Sequence, residues 1–333
     1  MKKRMLTGDR VSGKLHLGHY IGSLKNRVQM QDDYECFIIL ADIQALTTNY
    51  ERTEQIPKDV VEIVLDYLGS GIDPEKTTIF LQSQVPELAE LTTYFSMLTS
   101  VTRLYRNPTI KEEIKTFGLH GNLSYGFLGY PVSQASDILL FRPHLVPVGE
   151  DQVPIIELTR EIARKFNSLY GELFPLPEAY VGECPRLLGI DGKQKMSKSF
   201  DNAIYISDSA EEIEQKVNSM FTDPERLYMS EPGQPEKCNV FTYYTLFSTM
   251  KVIEVANRCT EARIGCVGCK QNLADEINGM LESIRKRRDE VASEPGYVGK
   301  VLKEGTEKAR QIGIDTLSLV KKAIHLDYEE LIS

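Results

Sequence analysis

The sequence predicts an α/β protein: a doubly wound parallel sheet of the Rossmann type, followed by an all-helical C-terminal domain. Three observations carry this. Two short apolar runs, residues 35–42 (ECFIILAD) and 77–82 (TTIFLQ), show no polar alternation, as strands buried on both faces do. Between them, residues 57–68 place Val61, Val64, Leu65 and Leu68 at helical spacing and stop at Gly69 and Gly71. Beyond Ser207, helical periodicities follow one another with no further strand run. Strands alternating with helices of this length build βαβ units.

In chain order, residues 4–6 read as the end of a first strand. Residues 7–23 (TGDRVSGKLHLGHYIGS) then enter a helix that runs to about Gln31 on an apolar stripe of Leu17, Ile21, Leu24 and Val28. Gly8, Gly13, His16 and His19 therefore sit at a strand–loop–helix corner. Free N–H groups and the helix dipole favour an anion there, and glycine lets a phosphate approach the chain. Two histidines three apart can donate to phosphate oxygens; a loop with two surface histidines is the plainer alternative. Residues 87–122 read as a helical insertion broken at Asn107-Pro108, before Pro131 opens a helix bearing Gln134, Asp137, Ile138 and Leu140. A fourth strand, residues 145–148, leads through Gly149-Glu150-Asp151-Gln152 into a helix reaching Tyr170. Helices are expected at 209–220, 241–257, 271–291 and 297–332. The domain division is 1–205 and 206–333, with the last helix packing back on the first domain.

With 333 residues, 41% hydrophobic and 26% charged, the chain can bury two cores and has an ordinary globular composition. No segment has the apolar length of a membrane span or the apolar core of a signal peptide, so a cytoplasmic protein is expected. A formal charge of −9 excludes a protein coated in basic residues. A nucleic-acid partner needs a local patch, for which Arg285-Lys286-Arg287-Arg288, Lys303, Lys308 and Arg310 are candidates, although such runs are usually solvated helix faces. Four of the six cysteines, Cys238, Cys259, Cys266 and Cys269, crowd together and end in C-x-x-C. In a cytosolic chain that spacing favours zinc or an iron–sulfur cluster over disulfides, without separating the two; Cys36 and Cys184 read as ordinary thiols.

A second motif, KMSKS at Lys195–Ser199, follows Leu187-Leu188-Gly189-Ile190-Asp191-Gly192. Two lysines three apart in a small, hydroxyl-bearing loop make a mobile cationic clamp for a polyphosphate. A chance match to this pentapeptide in a chain of this length is on the order of one in ten thousand.

HLGH early and KMSKS late resemble the class I aminoacyl-tRNA synthetases, over nearly the whole chain. YPVSQASDILLF at 130–141, VPVGEDQ at 146–152 and ELTREIA at 157–163 resemble the tryptophanyl-tRNA synthetase family. That resemblance implies ATP-dependent activation of L-tryptophan and transfer to tRNA(Trp) by a homodimer using Mg²⁺. It implies a tryptophan pocket of Asp137, which accepts the indole N–H, with Tyr130, Gln134, Val146, Val148 and Gln152. It implies an ATP site of Arg10, Val11, Ser12, Gly18, His19, Gly149, Glu150, Asp151, Leu187, Lys195, Met196, Ser197, Lys198 and Ser199. Lys195 and Lys198, assisted by His16 and His19, are the catalytic candidates. PEKC followed by CTEARIGCVGCK resembles a subset of the family with a [4Fe–4S] cluster near the anticodon-binding region, zinc being the alternative. Gln134 stands where many relatives have methionine, Arg10 where glutamine is common, and Gln44 where some have histidine. Gln three before Asp also occurs in tyrosyl-tRNA synthetases, so a tyrosine enzyme stays open. So do a small-molecule adenylyltransferase and a non-catalytic tRNA-binding paralogue.

Overall fold

The computed structural model describes residues 2–51, 53–116, 118–119, 123–182, 187–248 and 250–328. Its sheet has five parallel strands, β1 (Arg4–Arg10), β2 (Glu35–Ala41), β3 (Thr77–Leu81), β4 (Leu145–Pro147) and β5 (Glu178–Tyr180). Their order is β3-β2-β1-β4-β5. The chain winds outward from β1 in one direction and resumes at β4 on its other side. That reversal opens a crevice at the carboxyl ends of β1 and β4.

β1 runs four residues past the expected Leu6, because Arg4↔Glu35 through Arg10↔Ala41 all pair with β2. Gly8 is therefore a strand residue. A Cβ there would collide with the Ile39 carbonyl, so close strand packing, and not a phosphate, requires this glycine. β5, which no apolar run announces, is a short edge strand registered Leu145↔Glu178.

β2 divides the core by alternation. Ile38 and Leu40 join the cluster under the C-terminal helices, whereas Phe37 and Ile39 join that of the opposite face. The helix Ile56–Ser70 buries Val64, Leu65 and Leu68 of the expected stripe together with Val60, Ile63 and Tyr67, while Val61 is 42% exposed. The helical insertion comprises Glu87–Leu98, Val101–Tyr105 and Pro108–Thr116; its expected end, with Phe117 and residues 120–122, lies outside the described residues. Pro108 opens the last of these helices, and buried Asn107 accepts from the Thr109 N–H at 3.0 Å. The helix Tyr125–Leu139 begins six residues before Pro131, because Ser124 caps it by accepting from Phe127 N–H at 3.1 Å.

The C-terminal helices are Ala210–Asn218, Asn239–Phe247, Val252–Thr260, Cys266–Ala292 and Tyr297–Ala323. The expected single helix at 241–257 is two, since buried Ser248 leaves helical geometry (φ −143°) and its hydroxyl bonds Glu276 at 3.1 Å. The last helix crosses β3: Gly305 lies against the Ile79 carbonyl, and Thr306 Oγ1 accepts from Leu81 N–H at 3.3 Å. Ile332, the expected end of that helix, is not among the described residues.

The basic run at 285–288 is largely spent on the protein's own acceptors, although Lys286 and Arg287 remain exposed. Arg287 Nε donates to Gly69 O at 2.8 Å, Arg288 Nε donates to Asp66 Oδ1 at 3.0 Å, and Arg285 Nη1 donates to Asn278 Oδ1 at 3.2 Å. Arg287 and Arg288 staple Cys266–Ala292 to Ile56–Ser70; Arg285 bonds within its own helix and also donates to Asp208 O at 3.5 Å. Among the described residues no helix is long and apolar enough to cross a membrane.

Candidate nucleotide and amino-acid site

A cleft of about 1220 Å³ opens at the crevice between β1 and β4. The first motif contributes Arg10, Ser12, His16, Gly18 and His19, and the turn after β4 contributes Gly149, Glu150, Asp151 and Gln152. Leu187, Lys195, Met196, Ser197 and Lys198 come from the second motif, Gln134 and Asp137 from Tyr125–Leu139, and Val146 and Val148 from β4 and its exit. Two candidates sit behind the wall. The Val11 side chain is 1% exposed in the core, and Tyr130 is buried with the Arg10 guanidinium 5.9 Å from its ring. The Ser199 side chain lies outside the described residues, as does Cys184.

The two motifs, nearly two hundred residues apart in sequence, are in contact. Leu17 N–H donates to Ile204 O at 2.9 Å, Ile206 N–H donates to Leu15 O at 3.0 Å, and Lys198 Nζ donates to Gly13 O at 2.5 Å. Gly13 holds φ +99°, which places its carbonyl where Lys198 meets it. Lys195 Nζ faces Asp151 Oδ2 at 4.0 Å.

His16 and His19 stack with ring centroids 3.7 Å apart. His19 Nδ1 accepts from the His16 backbone N–H at 3.2 Å, leaving Nε2 as the protonated nitrogen of a neutral ring. Burial, with the charge of nearby Lys198, pushes His19 down to about 4 and His16 to about 2. Both rings are therefore neutral donors at neutral pH, and the lysines carry the positive charge. Burial lowers Lys198 to about 8.

Beneath His19 lies a feature that sequence patterning passed over. Arg27 donates to both oxygens of Asp9, at 2.6 and 3.3 Å, and Tyr67 Oη donates to Asp9 at 2.5 Å. Burial opposes ionisation of Asp9, but the Arg27 charge and hydrogen bonds outweigh it and hold the carboxyl well below its usual range. The available signal was an arginine beside Leu24 and Val28 on an otherwise apolar helix face.

Asp137, 3% exposed, accepts from Gln82 Nε2 at 2.9 Å on each oxygen, while Gln82 Oε1 accepts from Gln44 N–H at 3.1 Å. Burial pushes Asp137 up to about 7. One amide cannot saturate a carboxylate with about four lone-pair sites, so the acid retains acceptor capacity toward the cleft. Gln82, at the end of a strand, is the positioning residue that periodicity could not reveal.

The four clustered cysteines carry no disulfide. Cys269, pushed up to about 12 by burial, also feels the charges of Cys238, Cys259 and Cys266. Arg226 Nη1 lies 3.7 Å from Cys259 Sγ. Among the described residues no three of these side chains are spaced to hold a metal ion.

A family model for class I tRNA synthetases (W and Y) matches residues 1–282. The tryptophan–tRNA ligase of Clostridium longisporum is 49% identical, covering 98% of both chains, and that of Treponema pallidum is 46% identical, covering 99% of this chain and 98% of its own. The crystal structure of tryptophanyl-tRNA synthetase from Campylobacter jejuni complexed with ADP and tryptophan is similar, with a TM-score of 0.85 at 34% identity over 97% of this chain and 99% of that one. A tyrosyl-tRNA synthetase from Archaeoglobus fulgidus, 22% identical with a TM-score of 0.65, shares the fold alone. The chain belongs to the class I tRNA synthetases for tryptophan and tyrosine. Within that family it is similar, from end to end, to the tryptophan–tRNA ligases.

Proposed function

We infer that the chain is a tryptophan–tRNA ligase, which activates L-tryptophan with ATP and passes it to tRNA. The observation that carries this is one cleft holding both motifs in contact and, at its other end, Asp137 with spare acceptor capacity. A carboxylate awaiting one N–H in an apolar slot rejects a ring that lacks it, because the buried acceptor is then left unpaired.

In the first step the tryptophan carboxylate oxygen attacks the α-phosphorus of ATP, and the bond to pyrophosphate breaks. No protein nucleophile is required, and catalysis comes from positioning and from stabilising charge as it moves onto pyrophosphate. Lys195 and Lys198 supply that charge, and neutral His16 and His19 donate hydrogen bonds to phosphate oxygens. The backbone of Arg10–Ser12 and of Gly149–Asp151, with Gly18, Leu187 and Met196, cradles the nucleotide. Mg²⁺, entering with the triphosphate, would offset its negative charge. In the second step a ribose hydroxyl of the terminal tRNA adenosine displaces AMP from the adenylate.

Residues 206–333 serve as the tRNA-binding domain of a cytoplasmic homodimer in this reading. Cys238, Cys259, Cys266 and Cys269 would hold a structural [4Fe–4S] cluster, or zinc, which fixes the loops joining the helices around them. Their common neighbourhood and soft donor chemistry suit such a centre, provided the thiols draw in around it. An absorbance band at about 400 nm in anaerobically purified protein supports the cluster, and stoichiometric zinc in a colourless sample replaces it.

ATP–pyrophosphate exchange measured with each of the twenty amino acids tests the assignment. Tryptophan alone should support it, and equal exchange with tyrosine would overturn it. Lys195→Ala should slow adenylate formation far more than it weakens tryptophan binding. Equal losses in pre-steady-state kinetics would remove the transition-state role.

A further inference from the structure

A lysine ammonium rides on a long, flexible stem, so where Lys195 and Lys198 act depends on how firmly the backbone beneath them is held. That backbone is a loop. Gly189 N–H donates to Gln194 O at 2.8 Å and Met196 N–H donates to Leu187 O at 2.9 Å, which folds residues 187–196 into a short hairpin, and Lys198–Phe200 add a single 3₁₀ turn. Ladder bonds this few leave much conformational freedom to be paid in ordering the loop.

Asn202 braces it. The residue is 2% exposed and lies behind the cleft wall. Its Oδ1 accepts from Ser197 N–H at 2.8 Å, while its Nδ2 donates to Lys195 O and to Asp191 Oδ1, each at 3.3 Å. The side-chain amide thus spans Met196 as a neighbouring strand residue would, taking one carbonyl and one N–H two residues apart. Asn202 O also accepts from Ile190 N–H at 2.9 Å. Gly189 makes room for this packing, since a Cβ there would overlap the Asn202 side chain. Any shift of the loop would break buried hydrogen bonds on both ends of the amide.

The base of the hairpin is fixed in turn to the C-terminal helices. From the helix Asn239–Phe247, Tyr243 Oη donates to Leu188 O at 2.6 Å and Asn239 Nδ2 donates to Gly189 O at 2.8 Å. Bonds therefore run from a buried helix through residues 188–190 to Asn202, and from Asn202 to the backbone on either side of Met196. Beyond that point Lys198 Nζ meets Gly13 O at 2.5 Å and Lys195 Nζ faces Asp151 at 4.0 Å.

We propose that Asn202 is a positioning residue of the phosphate clamp: by bonding the backbone at Lys195 and Ser197 it aims both lysines at the charge that moves onto pyrophosphate, without touching either substrate. This rests on the reading of the cleft as the site of ATP and tryptophan. A residue acting in this way governs the rate of adenylate formation and leaves ground-state binding to the groups that cradle the substrates.

The test is a double-mutant cycle in pre-steady-state adenylate formation by the intact enzyme. Asn202→Ala should lower the rate constant about 100-fold, as a misplacement of about 1 Å does, and should move the half-saturating concentrations of ATP and tryptophan by less than about threefold. In the Lys195→Ala background the same substitution should cost less than about tenfold, because groups that act as a unit are not additive. A loss that stays above about tenfold in that background means that Asn202 acts independently of the lysine, and the proposal fails. It fails equally if the half-saturating concentrations rise in step with the rate loss, or if the Tm falls while the rate is kept. Asn202→Asp keeps the acceptor for Ser197 N–H but sets a further acceptor against Lys195 O and Asp191. It stands in if Asn202→Ala does not fold, and should slow the step by about tenfold or more; the parent rate in this variant would overturn the proposal. A parent enzyme that forms no adenylate with tryptophan would instead refute the reading of the cleft, and the proposal with it.

Discussion

Asp137 is under opposing demands. Burial favours the neutral acid and pushes it up to about 7, whereas the proposed role toward an indole N–H is served best by the ionised form, the stronger acceptor. A folded-state pKa above the unfolded one means that the native state binds the proton more tightly. The associated stability is fully present below the ordinary carboxyl range and is lost as pH rises through about 7. Asp137→Asn should therefore raise the Tm at about pH 8 by a few degrees, and by less at about pH 5, while tryptophan activation falls about a thousandfold. Thermal denaturation at both pH values, read beside exchange rates, checks this. Lys198 gives a second pH signature. It is charged below about 8, so kcat/KM for ATP should fall above that pH, and Lys198→Arg should shift this limb upward. A limb that stays in place in the arginine variant would assign the titration to another group. His16 and His19, depressed to about 2 and 4, should contribute no limb near neutrality.

Among the helices, the C-terminal ones show how much a single position depends on what packs over it. Gly305 in Tyr297–Ala323 crosses β3 so closely that any Cβ would enter the Ile79 backbone, while Gly279 in Cys266–Ala292 has open space around it. Gly305→Ala should thus lower the Tm sharply, because backbone cannot yield as a side chain can. Gly279→Ala should add about 1 kcal/mol by helix propensity alone. Urea titrations of both variants test the contrast, and equal effects would mean that the last helix does not sit on β3. Arg288 presents the opposite case, a side chain that joins two helices by pairing with Glu62 and with the fully buried side chain of Asp66. Arg288→Ala leaves Asp66 buried and unpaired, at a cost of about 3 kcal/mol or more. Asp66 also accepts from Leu15 N–H at 2.8 Å, so the loss should reach the HLGH loop and appear as a higher KM for ATP.

At the scale of the whole molecule, the strand order β3-β2-β1-β4-β5 brings chemistry from distant segments to one crevice. The α/β class, four of the five strands and the two phosphate motifs were legible in the sequence. Apolar runs, helical periodicity and rare short motifs are local properties, set by what each segment must bury or bind. Helix boundaries were less so: Ser124 rather than Pro131 starts its helix, and Ser248 divides the helix expected at 241–257, because capping and side-chain bonding depend on neighbours remote in the chain. Neither could local pattern show that Arg287 and Arg288 are spent on Gly69, Asp66 and Glu62, since a basic run looks the same whether it meets solvent, a nucleic acid or a buried acid. The sequence by itself determined the kinds of element and put forward the residues proposed to meet a triphosphate and an indole ring. Tertiary structure alone decided which charges remain available in the cleft. Pairing across the fold saturates Asp9 and holds Asp137 through Gln82, and hydrogen bonding and desolvation act through space rather than along the chain.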